Sequence, residues 1–165
     1  NTAGGVDSIL TNVLEKLKTF GGSIMEVKVK YHSDIYPLEQ TAMGDWIDLR
    51  VAETVELKAG EFKLISLGIS MKLPDGYEAL VIPRSSTFKT WGVLQANSAG
   101  LIDNSYCGNN DIWKFPALAT RDVVIEKNSR ICQFRIQKRM EEVDFITVDW
   151  LSGNDRGGFG STGRK

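Results

Sequence analysis

An all-β fold is predicted by three features of this sequence. Short runs alternate apolar and polar residues with a period of two, turn-forming residues separate them, and no long amphipathic helix follows Met25. Many short strands at regular spacing form a sandwich or barrel, with a jelly roll among the options. The first run, Glu26-Val27-Lys28-Val29-Lys30-Tyr31, alternates as a half-buried strand does. Further runs are expected as strands over Ile47–Val51, Thr54–Leu57, Phe62–Ile69, Tyr77–Ile82, Val93–Gln95, Asp111–Phe115, Val123–Ile125, Ile131–Ile136 and Val143–Val148. Lys58-Ala59-Gly60-Glu61, Pro74-Asp75-Gly76 and Glu126-Lys127-Asn128-Ser129 supply turns between them.

Residues 1–24 read differently. Ile9, Leu10, Val13, Leu14, Leu17 and Phe20 recur at helical spacing, with Asp7 or Ser8 placed to cap the start and Gly21-Gly22 to end the run. Gly21-Gly22-Ser23, followed by Met25, reads as a linker ahead of a natural start. The expected organisation is an appended leader over 1–24, a β domain over 25–150 and a Gly-rich arm over 151–165.

A length of 165 residues suits one domain with a sizeable core. The formal net charge of −1, from 20 Lys and Arg against 21 Asp and Glu, leaves no electrostatic footprint for a nucleic-acid polymer. A single nucleotide needs only a local cluster of donors. Cys107 and Cys132 lie far apart and outside any C-x-x-C pair, so free thiols in a reducing cytoplasm are expected. His32 is the one histidine and sits at a strand end, where an ordinary surface role is expected. No apolar run reaches membrane-spanning length, and no secretory signal is read.

Five segments carry side chains suited to chemistry. Gly44-Asp45-Trp46-Ile47-Asp48-Leu49-Arg50 places the Asp48 carboxylate near the start of a strand, where it can orient waters around a hydrated divalent cation. Pro83-Arg84-Ser85-Ser86 ends an apolar strand in one charge and two hydroxyls, a trio that fits a phosphate chain. Gly100-Leu101-Ile102-Asp103-Asn104-Ser105-Tyr106-Cys107-Gly108 reads as a hairpin with Asp103 near its tip and Tyr106 opposite, or else as an ordinary Asx-type turn. Arg130-Ile131-Cys132-Gln133-Phe134 presents Gln133 on one face of a strand. Last, Arg156-Gly157-Gly158-Phe159-Gly160-Ser161-Thr162-Gly163 combines a guanidinium, two hydroxyls, four glycines and one aromatic plate. Glycines at φ > 0 turn backbone N–H groups toward an anion, so this arm reads as a phosphate cradle with a lid.

Taken in order, these segments resemble the five motifs of the trimeric deoxyuridine triphosphatase (dUTPase) family over nearly all of residues 25–165. Gly44–Arg50 and Val81–Thr87 bring the chain closer to the branch found in Gram-positive bacteria and their prophages. The resemblance implies a jelly-roll homotrimer with active sites at subunit interfaces, each closed by an arm. It implies hydrolysis of dUTP to dUMP and pyrophosphate, with Mg²⁺ carried by the triphosphate and waters.

It also implies roles for individual residues. Asp103 orients the attacking water and touches the deoxyribose 3′-hydroxyl, and Tyr106 packs under the sugar. Asn97 and the backbone of Gly100, Leu101 and Ile102, continuing to Tyr106, recognise uracil. Arg84, Ser85, Ser86 and Gln133 bind the phosphates and the water, while Asp48 meets the hydrated metal through water. In the arm, Arg156, Ser161 and Thr162 grip the γ-phosphate, Gly158 and Gly160 shape the loop, and Phe159 stacks over the base.

Three departures from the family pattern stand out. Ser105 occupies the place of an aspartate before the tyrosine, which removes a supporting ion pair. The first motif is longer than the usual Gly-Tyr-Asp-Leu, and Asp48 rather than Asp45 aligns because Leu49 follows it. Asn109–Phe115 also departs, which points to the trimer axis or a contact of the subgroup. Among rival readings, a dCTP deaminase needs a glutamate in the hairpin, and none lies within Gly100–Gly108. A nucleotide-dependent regulatory binding protein has no need to keep Asp103.

Overall fold

The period-two runs pair as antiparallel ladders. A computed structural model describes residues 24–163, together with 11, 12 and 15; the helix expected over Ser8–Phe20 falls largely outside the described residues. Chain order runs β1 (Lys28–Tyr31), β2 (Ile47–Arg50), β3 (Val55–Leu57), β4 (Phe62–Ser66), β5 (Ile69–Lys72) and β6 (Tyr77–Pro83). A short helix α1 (Thr87–Trp91) follows, then β7 (Val93–Gln95), β8 (Gly100–Ile102), β9 (Lys114–Ala119), β10 (Val123–Ile125) and β11 (Arg130–Lys138).

Two sheets and two ribbons result. The larger sheet has the order β2-β11-β6-β8 and the smaller β4-β9-β7, while β1 pairs with β5 and β10 with β3. Leu49, Ala79, Val81, Cys132 and Phe134 bury the inner face of the first sheet. Ile65, Val93, Phe115, Ala117 and Ala119 do so for the second, and all join one apolar cluster. Each large side chain buried there contributes about 1.5–3 kcal/mol. Trp113 packs its ring edge-on to Phe134 at 5.2 Å within that cluster.

The smaller sheet is apolar on its outer face too. Phe62, Leu118 and Leu94 stand in one cross-strand row, and Leu64 with Pro116 in the next. Phe62 and Leu64 are each 55 % exposed. An antiparallel sheet with a solvated outer face carries polar residues there.

Four expectations need correction. Phe62–Ile69 is two strands, because Gly68 adopts φ +69° and the chain changes partner from β9 to β1. A Cβ at Gly68 would stand 3.1 Å from that of Ala52. Asp111–Phe115 is not a strand over its first three residues; the strand begins at Lys114. Within this segment Trp113 and Phe115 are core residues. Val143–Val148 forms no strand: beyond β11, the residues from 139 onward pair with no strand among the described residues. The alternating pattern is present, but backbone N–H and C=O groups need a partner strand that the described residues do not offer them. Finally, Gly100–Gly108 is not a hairpin. β8 pairs with β6, and the residues after it make turns.

Candidate active site

A bulge in the larger sheet gathers the first group of functional side chains. β11 pairs with β2 on one side and β6 on the other, so Gln133 lies opposite both Asp48 and Ile82. The register slips between Arg130 and Cys132. Such a bulge re-aims a side chain; Ile131 and Cys132 are both buried, and Arg130 turns outward to Asp48. Asp48 Oδ1 meets Arg84 Nε at 3.1 Å and Oδ2 meets Arg130 Nη1 at 3.3 Å. Gln133 Nε2 donates to Pro83 O at 3.2 Å. Asp48, Arg84, Arg130 and Gln133 therefore form one cationic cluster at the end of β6.

Thr87 holds the loop that carries Arg84. Its hydroxyl accepts from Arg84 N at 2.9 Å and donates to Ile131 O at 2.7 Å, in a fully buried position. Ser85 and Ser86 lie between these anchors. Ser86 stands at the N-cap of α1 without a side-chain capping bond.

The second group lies on and after β8. Among the described residues this strand is the edge of its sheet and pairs only with β6, which leaves the other side of its backbone unpaired. Asn97 stands in the turn leading into β8, beside Gly100: a Cβ on Gly100 would lie 3.5 Å from Asn97 Nδ2. Asp103 opens the next turn, whose Tyr106 N–H donates to Asp103 O at 3.0 Å. Tyr106 Oη donates to Ile112 O at 3.0 Å. Asn104 ties the same turn to Pro74 O and Tyr77 O at 2.8 and 3.1 Å.

Asp103 is open to solvent, and Ser105 is its principal partner. The Ser105 backbone N–H and hydroxyl hold the Asp103 carboxyl below the usual carboxylate range, aided weakly by the positive charge of Arg139. In the opposite sense, burial pushes the Cys132 thiol well up, and the nearby Asp48 charge adds to this. Cys132 is thus an inert core thiol.

These two groups do not meet within one chain. Ile102 pairs with Ala79 and Asp103 follows it, whereas Arg84 follows Pro83 at the other end of β6. By that register Asp103 falls at the level of Glu78, six residues before Arg84, roughly 20 Å at the usual rise. The arm stands apart from both. Gly157, Gly160 and Gly163 adopt positive φ, Ser161 N donates to Gly158 O, and Phe159 is fully exposed. Arg156 and Thr162 are exposed as well.

Arg130, Thr87, Asn104 and Ser105 are the contributors that motif reading assigned no function. Asp-x-Ser is a recognisable side-chain-to-backbone turn pattern, so Ser105 was within reach. Nothing in the sequence marks the bulge that turns Arg130 toward Asp48.

Comparison with known proteins converges on one family. The dUTPase family model matches residues 36–163. The chain is 57 % identical over 142 residues to the SPbeta prophage-derived deoxyuridine 5′-triphosphate nucleotidohydrolase YosS of Bacillus subtilis, covering 86 % of this chain and all of that protein. It is 37 % identical to the deoxyuridine 5′-triphosphate nucleotidohydrolase of Rickettsia akari, covering 91 % of this chain and 95 % of that one. Among solved structures, the dUTPase of Staphylococcus bacteriophage 80alpha with dUPNHPP superposes with a TM-score of 0.71 at 20 % identity, over 84 % of this chain and 99 % of that one. The Streptococcus mutans dUTPase gives 0.63 at 25 % identity, over 70 % and 98 %. A family match over most of the length, and a relative matched from end to end, lead to one conclusion: this chain belongs to the dUTPase family.

Proposed function

We propose that this dUTPase cleaves dUTP to dUMP and pyrophosphate at sites shared between copies of the chain in a homotrimer. The observation that carries the shared site is the separation of Asp103 from Arg84 along β6. Each cluster is well formed and each is half of a site, so a second copy must supply the other half. The apolar outer face of β4-β9-β7 supports association, since Phe62, Leu64, Leu94 and Leu118 remain exposed on a single chain.

In this reading Asp103 holds a water in line with the α-phosphorus and takes its proton. The water oxygen bonds to that phosphorus as the bond to the bridging oxygen breaks, and pyrophosphate leaves. Arg84, Ser85, Ser86 and Gln133 bind the phosphate chain and offset its developing charge. Asn97 and the open edge of Gly100–Ile102 read uracil, and Tyr106 floors the sugar. Arg156, Ser161, Thr162 and Phe159, on a loop shaped by Gly158 and Gly160, close over the nucleotide and exclude water.

The donor set bears on the metal. Among the described residues no group of three His, Cys, Asp or Glu side chains gathers, and Asp48 is spanned by two arginines. A single pinned carboxylate fits a water-mediated contact with Mg²⁺ delivered by the triphosphate, rather than a cage of protein ligands. Bound there, the ion supplies charge neutralisation on the phosphates. Unpaired Cys107 and Cys132 accord with a reducing cytoplasm, and no described helix is long and apolar enough to cross a membrane.

Pyrophosphate release from dUTP with Mg²⁺, beside dCTP, dTTP and UTP, tests this reading, with Asp103→Asn as control. Release from dUTP alone, abolished by the substitution, is the expected result. Binding without cleavage would favour a regulatory role, and cleavage of dTTP or UTP would overturn the roles given to Tyr106 and the β8 edge.

A further inference from the structure

Ser70 puts a hydroxyl into β5 between two core residues, Ile69 and Met71, and is itself 4 % exposed. A hydroxyl buried there costs its desolvation unless it finds partners. It finds two. Ser70 Oγ donates to Asn109 O at 2.9 Å, and His32 Nε2 lies at hydrogen-bonding distance from the same oxygen. A hydroxyl has one proton to give and a carbonyl only accepts, so Ser70 accepts from His32 and the imidazole carries a proton on Nε2. The His32 backbone is tied down as well, its N–H donating to Gly68 O at 2.7 Å. His32 is half-buried and turned toward the β5 strand rather than being an ordinary surface group.

The far end of this relay is the loop between Tyr106 and β9. Gly108 N donates to Asp111 Oδ2 at 2.7 Å and Asp111 N to Gly108 O at 3.1 Å, so residues 108–111 close into one turn that contains Asn109. Trp113 N donates to Ile69 O at 2.9 Å. Two consecutive residues of β5 thus hold the loop at Asn109 and at Trp113, and Ile112 lies between those points. Ile112 O is the group that accepts from Tyr106 Oη.

We propose that His32 and Ser70 are positioning residues for Tyr106 and, through it, set the preference for deoxyribose over ribose. His32 fixes the Ser70 hydroxyl, Ser70 fixes the turn at Asn109, and the loop then presents Ile112 O to the phenol. The inference rests on the reading of Tyr106 as the floor of the sugar site. A ring held close beneath the sugar leaves no room for a 2′-hydroxyl. A loop released from β5 lets the ring withdraw, and a ribonucleotide then fits.

The test uses the full chain with His32→Leu, His32→Gln, Ser70→Ala and Tyr106→Phe. Thermal unfolding and kcat/KM for dUTP and for UTP are measured for each. His32→Leu and Ser70→Ala are expected to lower the dUTP-over-UTP ratio by about tenfold, the scale of one hydrogen bond. His32→Gln keeps a donor for Ser70 and should restore most of the ratio. Tyr106→Phe keeps the ring but cuts its tie to the loop, so adding Ser70→Ala or His32→Leu to it should leave the ratio nearly where Tyr106→Phe alone puts it. A parent-like ratio in His32→Leu and Ser70→Ala overturns the proposal. So does an equal loss in His32→Gln, or full additivity with Tyr106→Phe, which would mark a general loosening of the fold. Should Ser70→Ala fail to fold, His32→Leu decides in both arms. A parent protein that hydrolyses UTP as readily as dUTP, or neither, overturns instead the reading of Tyr106 beneath the proposal.

Discussion

Ser105 donates twice to the same oxygen of Asp103: its backbone N–H lies 2.9 Å and its hydroxyl 2.8 Å from Oδ1. Oδ2 receives no such donor among the described residues. One carboxylate oxygen is therefore fixed, and the other is left to face a water.

This arrangement has a pH consequence. Both Ser105 bonds favour the charged carboxylate and lower its pKa, so in the proposed role Asp103 stays a competent base further into acid. Ser105→Ala removes the hydroxyl bond, raises the pKa and moves the acid limb of the kcat profile to higher pH. Coincident profiles for parent and variant would show that the hydroxyl does not matter.

Asp48 organises the cationic cluster more than it stabilises the fold. Its two ion pairs are partly solvated, and such pairs contribute about 0–1 kcal/mol. Asp48→Asn is expected to leave the urea midpoint nearly unchanged while kcat/KM for dUTP falls on the order of 10–100-fold, because Arg84 and Arg130 lose their alignment. A large drop in stability without loss of activity would reverse this assignment.

Thr87 is the contrasting case. Thr87→Val keeps the shape but strands the Arg84 N–H and the Ile131 carbonyl in a buried place. Unfolding in urea should show a loss of about 2 kcal/mol, with activity reduced through the shifted Arg84 loop.

Much of this was legible from residue pattern. Alternation located β1, β2, β3, β6, β7, β10 and β11 to within a few residues, because those strands bury one face against a common core. It failed where pattern and pairing part company. Gly68 breaks a continuous apolar run by a backbone turn, and Val143–Val148 alternates without a strand to join. Arg84, Asp48 and Gln133 were each readable from a motif, yet their convergence depends on the β11 bulge. Ser105 was noted as a missing charge; its positive contribution is a short-range turn geometry.

The outer face of the smaller sheet gives a prediction for assembly. Leu118→Asp places a charge in the middle of the Phe62–Leu118–Leu94 row. Sedimentation should show smaller species with the far-ultraviolet circular dichroism of the parent and little dUTP turnover. An unaltered sedimentation coefficient would mean that copies meet elsewhere.

Ending the chain after Trp150 removes the whole arm, which makes no strand pairing with the body. Turnover should fall severely while the sedimentation coefficient stays that of the assembled protein. Normal turnover would refute a closing role for Phe159 and its neighbours.

The placement of Asp103 and Arg84 at opposite ends of β6 also has a genetic consequence. In the proposed assembly, every chain lends one end of that strand to one site and the other end to a different site. Two inactive proteins, Asp103→Asn and Arg84→Ala, would therefore rescue each other when their subunits are mixed, since some sites then draw both intact halves from different parents. Conversely, a single defective allele would damage sites whose other half is sound, so its effect in a mixed population would exceed its share of the subunits.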